Sequence, residues 1–154
     1  MAKVMYIMRG LPGSGKSYFI SMFRYPAVCS ADAYFMVGSM YLFDRTALGD
    51  AHKMCKFKAH QACKAGIEAV YIDNTNTTWK EILPYVTIAE QYGYEVMFVS
   101  PNTAWANDVE ECFKRNTHGV PKEVIQAMKD RWQDSNTIFH NMNTEFPNVK
   151  GSFI

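Results

Sequence analysis

Near the start of the chain, Gly10-Leu11-Pro12-Gly13-Ser14-Gly15-Lys16-Ser17 has the residue types and spacing needed to hold phosphate. The string fits G-x-x-x-x-G-K-[ST], in which glycines let the backbone curl until its N–H groups converge on an anion. In such a cradle Lys16 reaches the β and γ phosphates of a nucleoside triphosphate, and the Ser17 hydroxyl binds the magnesium ion that bridges them. Gly13 and Gly15 give the backbone room, and a lysine at the mouth of a glycine-rich nest has little to pack against.

Phosphoryl transfer to an alcohol also needs a group that orients the hydroxyl and accepts its proton. Asp32 follows the short apolar run Ala27-Val28-Cys29 and either faces the γ-phosphate in that role or caps a helix beginning at Ala33. Asp73 closes another apolar run, Glu68 to Asp73. It either holds magnesium, more naturally through water because that ion sheds its waters reluctantly, or belongs to a turn with Asn74, Thr75 and Asn76. In Lys114-Arg115-Asn116, Arg115 either is a solvated surface cation or rides on a lid, Thr117-His118-Gly119, that brings positive charge over the transferring group.

These residues need elements to carry them. Val4 to Met8 reads as a strand before the phosphate loop, and Tyr18 to Phe23 as a helix after it, ending near Arg24 where Tyr25-Pro26 closes it. A helix N-terminus behind the loop adds its own exposed N–H groups to the anion site. Residues 36–43 read as loop. From Asp44 or Arg45 to Lys64 the pattern is helical, with Leu48, Ala51, Cys55, Ala59 and Ala62 on one face and Lys53, Lys56, His60 and Lys64 nearly opposite, Phe57 beside them. That basic stripe is either a plain wet face or a track for a nucleic-acid backbone. Gly66 and Gly93 suit helix ends, and Thr78-Trp79-Lys80-Glu81 has the form of a capping box. Tyr94 to Ser100 reads as a strand, Ala104 to Arg115 as a helix, and Pro121 as the start of another running to Trp132. The C-terminal segment holds a short helix or strand. Strands alternating with helices across short loops predict an α/β fold, a three-layer sandwich of the P-loop kinase type with helices on both faces of a parallel sheet.

With 154 residues and no linker-like stretch, residues 1–154 make a single domain of ordinary globular composition, 48% hydrophobic and 20% charged. A net charge of +1 excludes a broad basic face that coats duplex DNA. Cys29, Cys55, Cys63 and Cys112 lack C-x-x-C spacing and suit reduced thiols in the cytoplasm or nucleus. His52-x-x-Cys55 and His60-x-x-Cys63 do not form one zinc site, since the pairs sit roughly 12 Å apart along a helix and zinc ligands lie about 2 Å from the ion. No apolar run approaches the roughly 18 residues that span a membrane, and the chain enters its first strand without a signal peptide. A soluble intracellular protein is expected.

The blocks Arg9 to Ser17, Cys29 to Phe35, Ile72 to Asn76 and Arg115 to Val120, in this order and spacing, resemble the polynucleotide-kinase-like P-loop family of AAA-type ATP-binding domains. The likeness runs from about residue 3 to residue 132. It is strongest to the small kinase domains of animal Nedd-binding proteins and weaker to phage 5′-hydroxyl polynucleotide kinases. The resemblance implies ATP and Mg2+ as cofactors, Asp32 as general base, residues 10–17 and Arg115 as nucleotide contacts, and Ser17 with Asp73 at the metal. It implies a nucleic-acid 5′-end as acceptor, with Phe35, Asn74, Thr75 and Asn76 near it. Three departures bear on the acceptor: the family often has two acidic residues where this chain has Asp32-Ala33, the phage enzymes have an acceptor-holding arginine where this chain has Phe35, and their further lid arginine has no obvious counterpart here. A nucleoside, a modified DNA base or another small alcohol is the alternative acceptor, and a nucleotide-dependent binding module without transfer is the alternative class.

Overall fold

A computed structural model of the chain describes residues 2–23 and 27–154. The helix end expected at Arg24 and its closure by Tyr25-Pro26 lie outside them. Among the described residues, five strands form one parallel sheet: β1 (Val4–Met8), β2 (Ala27–Cys29), β5 (Ala69–Asp73), β6 (Glu95–Val99) and β7 (Gly151–Phe153), in the order β2-β5-β1-β6-β7. The register sets Met8 opposite Asp73 on one side and Val99 on the other, so β1, β5 and β6 end level with one another. β1 reads as a near-continuous apolar run because helices cover both of its faces. On one face Met5, Ile7, Val70, Ile72, Val96 and Phe98 pack under α2 (Leu48–Lys64), α3 (Trp79–Tyr92) and α6 (Ser135–Glu145). On the other, Met8, Tyr71 and Val99 meet Ile20 of α1 (Lys16–Ser21), with Tyr6 stacked on Tyr71 at 4.8 Å. A third cluster, Leu11, Val109, Cys112 and Ile125, ties α4 (Val109–Arg115) and α5 (Lys122–Asp130) beneath the phosphate loop. This is the three-layer α/β arrangement that the alternation of elements predicts.

Local differences have local causes. Residues 36–41 form a hairpin rather than a loop, β3 (Met36–Val37) with β4 (Met40–Tyr41), turning at Gly38, whose φ of +61° glycine tolerates. Helix α4 starts at Val109, not Ala104, because the Asp108 carboxylate accepts from the Glu111 N–H and caps it there, while 104–107 are turns. The capping box is displaced by a residue. Thr78 accepts from the Glu81 N–H at 3.4 Å, but the Glu81 carboxylate reaches back to the N–H and hydroxyl of Thr77, both at 2.8 Å. On α2 the buried face is Ala51, Cys55, Ala59 and Cys63; Leu48 is left exposed and Ala62 only partly covered. The C-terminal segment contains both a helix, α6, and a strand, β7, which extends the sheet beside β6.

Arg9 holds the end of β1 in place. Its side chain is fully buried, with Nε donating to the Asn76 carbonyl at 2.9 Å and Nη2 to those of Thr77 (3.2 Å) and Gln133 (2.6 Å). The guanidinium lies 4.5 Å from the Trp132 ring centre. Burial pulls its pKa down to about 10, with Glu81 and Asp134 opposing, so it remains a cation at neutral pH. Arg9→Met strips the Asn76 and Gln133 carbonyls of their donor, Thr77 keeping the Gln133 N–H, and is expected to lower stability by about 2–4 kcal/mol, given what an orphaned buried polar group costs. Urea unfolding measures it, and a variant as stable as wild type would show that the network carries no stability.

Candidate active site

The level strand ends gather the loops 9–16, 30–32 and 73–76 at the C-terminal edge of the sheet, where open parallel sheets bind ligands. The phosphate loop is anchored from below, the Arg9 N–H donating to the Val99 carbonyl at 2.8 Å and that of Gly10 to Thr75 at 3.1 Å. Its rim is held by side chains from the segment after β6: Thr103 Oγ1 donates to the Ser14 carbonyl at 2.7 Å and Trp105 Nε1 to that of Gly13 at 3.1 Å. Gly13, with φ +77°, sits so close under the end of α4 that a Cβ there would overlap the Cys112 carbonyl oxygen and lie 2.8 Å from the Asn116 nitrogen. No other residue type fits that contact without moving backbone.

Inside the loop Lys16 Nζ donates to the Leu11 carbonyl at 3.0 Å, and Ser17 is exposed in the first turn of α1. Burial holds the Lys16 ammonium below the usual lysine range, with the Asp73 and Asp32 carboxylates opposing. Ser14 Oγ is buried without a protein partner. An unpaired hydroxyl and a desolvated cation in a backbone nest fit a phosphate group, which offers acceptors to both.

Asp73 ends β5, and the Lys16 charge acts on its carboxyl. Burial raises its carboxyl above the usual range, Lys16 opposes, Asp32 raises it further and His118 lowers it. A desolvated carboxylate at this sheet edge suits a hard cation that brings its own water. The shift also makes a stability prediction. Because the folded-state value lies above 3.8, the folded chain holds this proton more tightly than the unfolded one, and stability declines as pH rises from 3.8 through the folded-state value. Asp73→Asn is therefore expected to raise the urea midpoint of the nucleotide-free protein at neutral pH and to flatten that decline. Midpoints that match at every pH from mildly acidic to neutral would contradict it.

Asp32 does not cap a helix at Ala33. It is the first residue of a 3-10 turn, Asp32–Phe35, whose N-cap is Ala31, and its side chain is 52% exposed. Its Oδ1 accepts from the Tyr41 hydroxyl at 3.0 Å, and its Oδ2 lies 3.0 Å from His118 Nδ1. The Tyr41 and His118 rings stack at 4.1 Å. The sequence assigned neither a role beside Asp32: Tyr41 lies in the stretch read as loop, and His118, named only as part of the lid, had no partner until the fold supplied Asp32.

The remaining sequence candidates fall elsewhere. Arg115 is not aimed at the two carboxylates; its Nε bonds Glu111 at 3.3 Å and its guanidinium lies 3.7 Å over the Trp105 ring, one indole away from Gly13. Phe35 is 4% exposed and packs against Tyr41 and Phe43 in the core, so it has no free face for a base. Asn74 braces strands, its Oδ1 accepting from the Ala31 N–H at 3.0 Å. Asn76 is buried at φ +47° with Nδ2 donating to the Met8 carbonyl at 2.7 Å, while Thr75 contributes its backbone carbonyl to Gly10. These three residues build the loop floor. Of the basic stripe, His60 turns toward α3 and contacts the Tyr92 hydroxyl at 2.9 Å, leaving Lys53, Lys64 and Phe57 exposed. Cys55 and Cys63 are buried, and no group of three or more His, Cys, Asp or Glu side chains gathers as a metal site among the described residues. No helix there is long and apolar enough to cross a membrane.

A parallel sheet with a phosphate loop after its first strand, and with a lysine and two carboxylates brought to one edge, defines the P-loop kinase class. Residues 5–134 match the family model described as AAA domain, and the chain belongs to that family. It is 37% identical to human NEDD4-binding protein 2 over 134 residues, which are 84% of this chain and 8% of that protein. It is 29% identical over 132 residues to mouse 2′,3′-cyclic-nucleotide 3′-phosphodiesterase, 82% of this chain and 30% of that one. The chain thus spans at most 30% of the length of either relative. A solved structure of the Pnkp1/Rnl/Hen1 complex contains a chain that superposes with a TM-score of 0.56 at 25% identity, over 74% of this chain and 39% of that one.

Proposed function

We propose that this domain is an ATP-dependent kinase that transfers the γ-phosphoryl group to the 5′-hydroxyl of a nucleic-acid end. The observation that carries this reading is the half-exposed Asp32 carboxylate on the same sheet edge as Lys16 and Asp73, where an alcohol can approach a nucleotide held by residues 10–17. The hydroxyl oxygen forms a bond to the γ-phosphorus as the bond to the bridging β–γ oxygen breaks, and the hydroxyl proton passes to Asp32. Lys16 neutralises charge on the transferring and leaving groups, and the backbone N–H groups of the loop and Ser14 Oγ hold the phosphates. Magnesium, held by Ser17 and through water by Asp73, would supply further charge neutralisation at the β and γ oxygens. The stacking of Arg115 on Trp105, whose indole bonds Gly13, supports a role for this cation against the nucleotide at the rim of the loop.

The buried Phe35 and the net charge of +1 favour a second reading, the same chemistry on a nucleoside or another small alcohol. Incubation with labelled ATP and a panel of 5′-hydroxyl DNA, 5′-hydroxyl RNA, nucleosides and a 2′,3′-cyclic nucleotide decides between them. Labelled oligonucleotide 5′-ends are expected. Label only on nucleosides would move the reading to the small acceptor. ATP binding without transfer to any acceptor, or opening of the cyclic nucleotide alone, would overturn it.

A further inference from the structure

We propose that His118 is a positioning residue for Asp32: it clamps the carboxylate from the 116–120 connector while Tyr41 holds it from the hairpin, so the acceptor side of the site is complete only when that connector is seated. The inference rests on Asp32 acting as the base. A half-exposed aspartate on a short turn has several rotamers open to it, yet here each oxygen is engaged by a different element, Oδ1 by the Tyr41 hydroxyl of β4 and Oδ2 by His118 Nδ1, both at 3.0 Å. An ionised carboxylate only accepts, so Nδ1 carries the proton in this contact. The two donors brace each other, their rings stacked with planes 17° apart. Burial and Asp32 push the Tyr41 phenol up, which keeps it a donor at neutral pH. The remaining lone pairs of Asp32 are left for an incoming hydroxyl.

The connector is shaped to present this histidine. Asn116 Nδ2 donates to the Phe113 carbonyl at 2.7 Å, its Oδ1 accepts from the Val120 N–H at 2.8 Å, and Gly119 at φ +66° makes the turn. The same segment begins against Gly13, whose missing Cβ leaves room for the Asn116 nitrogen. One stretch of chain therefore touches the phosphate loop at one end and the proposed base near the other. It can report to the acceptor side whether the phosphate loop is in place.

His118→Ala is expected to lower kcat by about tenfold or more, the scale of losing a hydrogen bond to a charged group, with KM for ATP unchanged. His118→Asn, which retains an N–H near the Nδ1 position, should recover most of that loss. In an Asp32→Asn background, removing His118 should cost nothing further, because it acts through Asp32. An unchanged kcat in His118→Ala, or an equal loss in both backgrounds, would overturn the proposal. A second measurement needs no activity. Hydrogen exchange across 117–120 should quicken in Asp32→Ala and in Tyr41→Phe, while α4 and α5 stay protected; unaltered exchange would overturn the clamp. If no acceptor is phosphorylated, the kinase reading fails and the exchange result still decides whether Asp32 holds the connector.

Discussion

Asp32→Asn is expected to slow phosphoryl transfer by about 10²–10⁴-fold, the usual contribution of a positioned general base, and to leave ATP affinity unchanged. The asparagine preserves the shape of the side chain and still accepts through its carbonyl, so the bonds from Tyr41 and His118 need not both be lost. What disappears is the ability to take a proton from the incoming alcohol. Nucleotide affinity is spared because the proposed phosphate contacts are those of residues 10–17, which Asp32 does not contact through any hydrogen bond of the described residues. Single-turnover transfer from labelled ATP, paired with a direct nucleotide-binding titration, separates the two quantities. Transfer at the wild-type rate would remove Asp32 from the chemistry.

Lys16→Met is expected to lower kcat by about 10²-fold or more, the scale of deleting one charge-stabilising donor from a preorganised site. It should also weaken ATP binding more than ADP binding if the ammonium, as proposed, reaches the γ as well as the β phosphate. The nucleotide-free loop should keep its shape, since the Leu11 carbonyl that accepts from Lys16 also accepts from the Ser14 N–H at 3.0 Å. Asp73 loses the cation that lowers its carboxyl, and its proton should be held more tightly in this variant. Titrations with both nucleotides, alongside the transfer assay, test these points together. Equal losses of ATP and ADP affinity would place Lys16 away from the γ position.

The phosphate loop was legible in the sequence because its requirements are local. Glycines at 13 and 15, a lysine and a serine at 16 and 17, and a strand immediately before them are all contained in about fifteen residues of nearest-neighbour chemistry. The strands that lead to Asp32 and end in Asp73 were legible for the same reason, each a short apolar run, one closing in its acid and the other followed by it three residues on. The hairpin at 36–41 was not, because two-residue strands have no periodicity to read, and its exposed Met36, Val37 and Met40 resemble a loop. The start of α4 was misplaced because its helical pattern extends back through residues that in the fold make turns, with Trp105 and Thr103 turned onto the phosphate loop.

The one-dimensional pattern determined the class of fold, the position of the nucleotide cradle and the carboxylates that strand ends would offer. Tertiary structure decided which groups those carboxylates meet. His118 lies 86 positions from Asp32, Arg9 lies 124 from Gln133, and Trp105 lies 92 from Gly13. It also withdrew Phe35, Asn74 and Asn76 into the framework. Periodicity and propensity act over a few residues, so they specify elements; contacts across such separations exist only once the sheet has ordered its strands and brought distant loops to one edge.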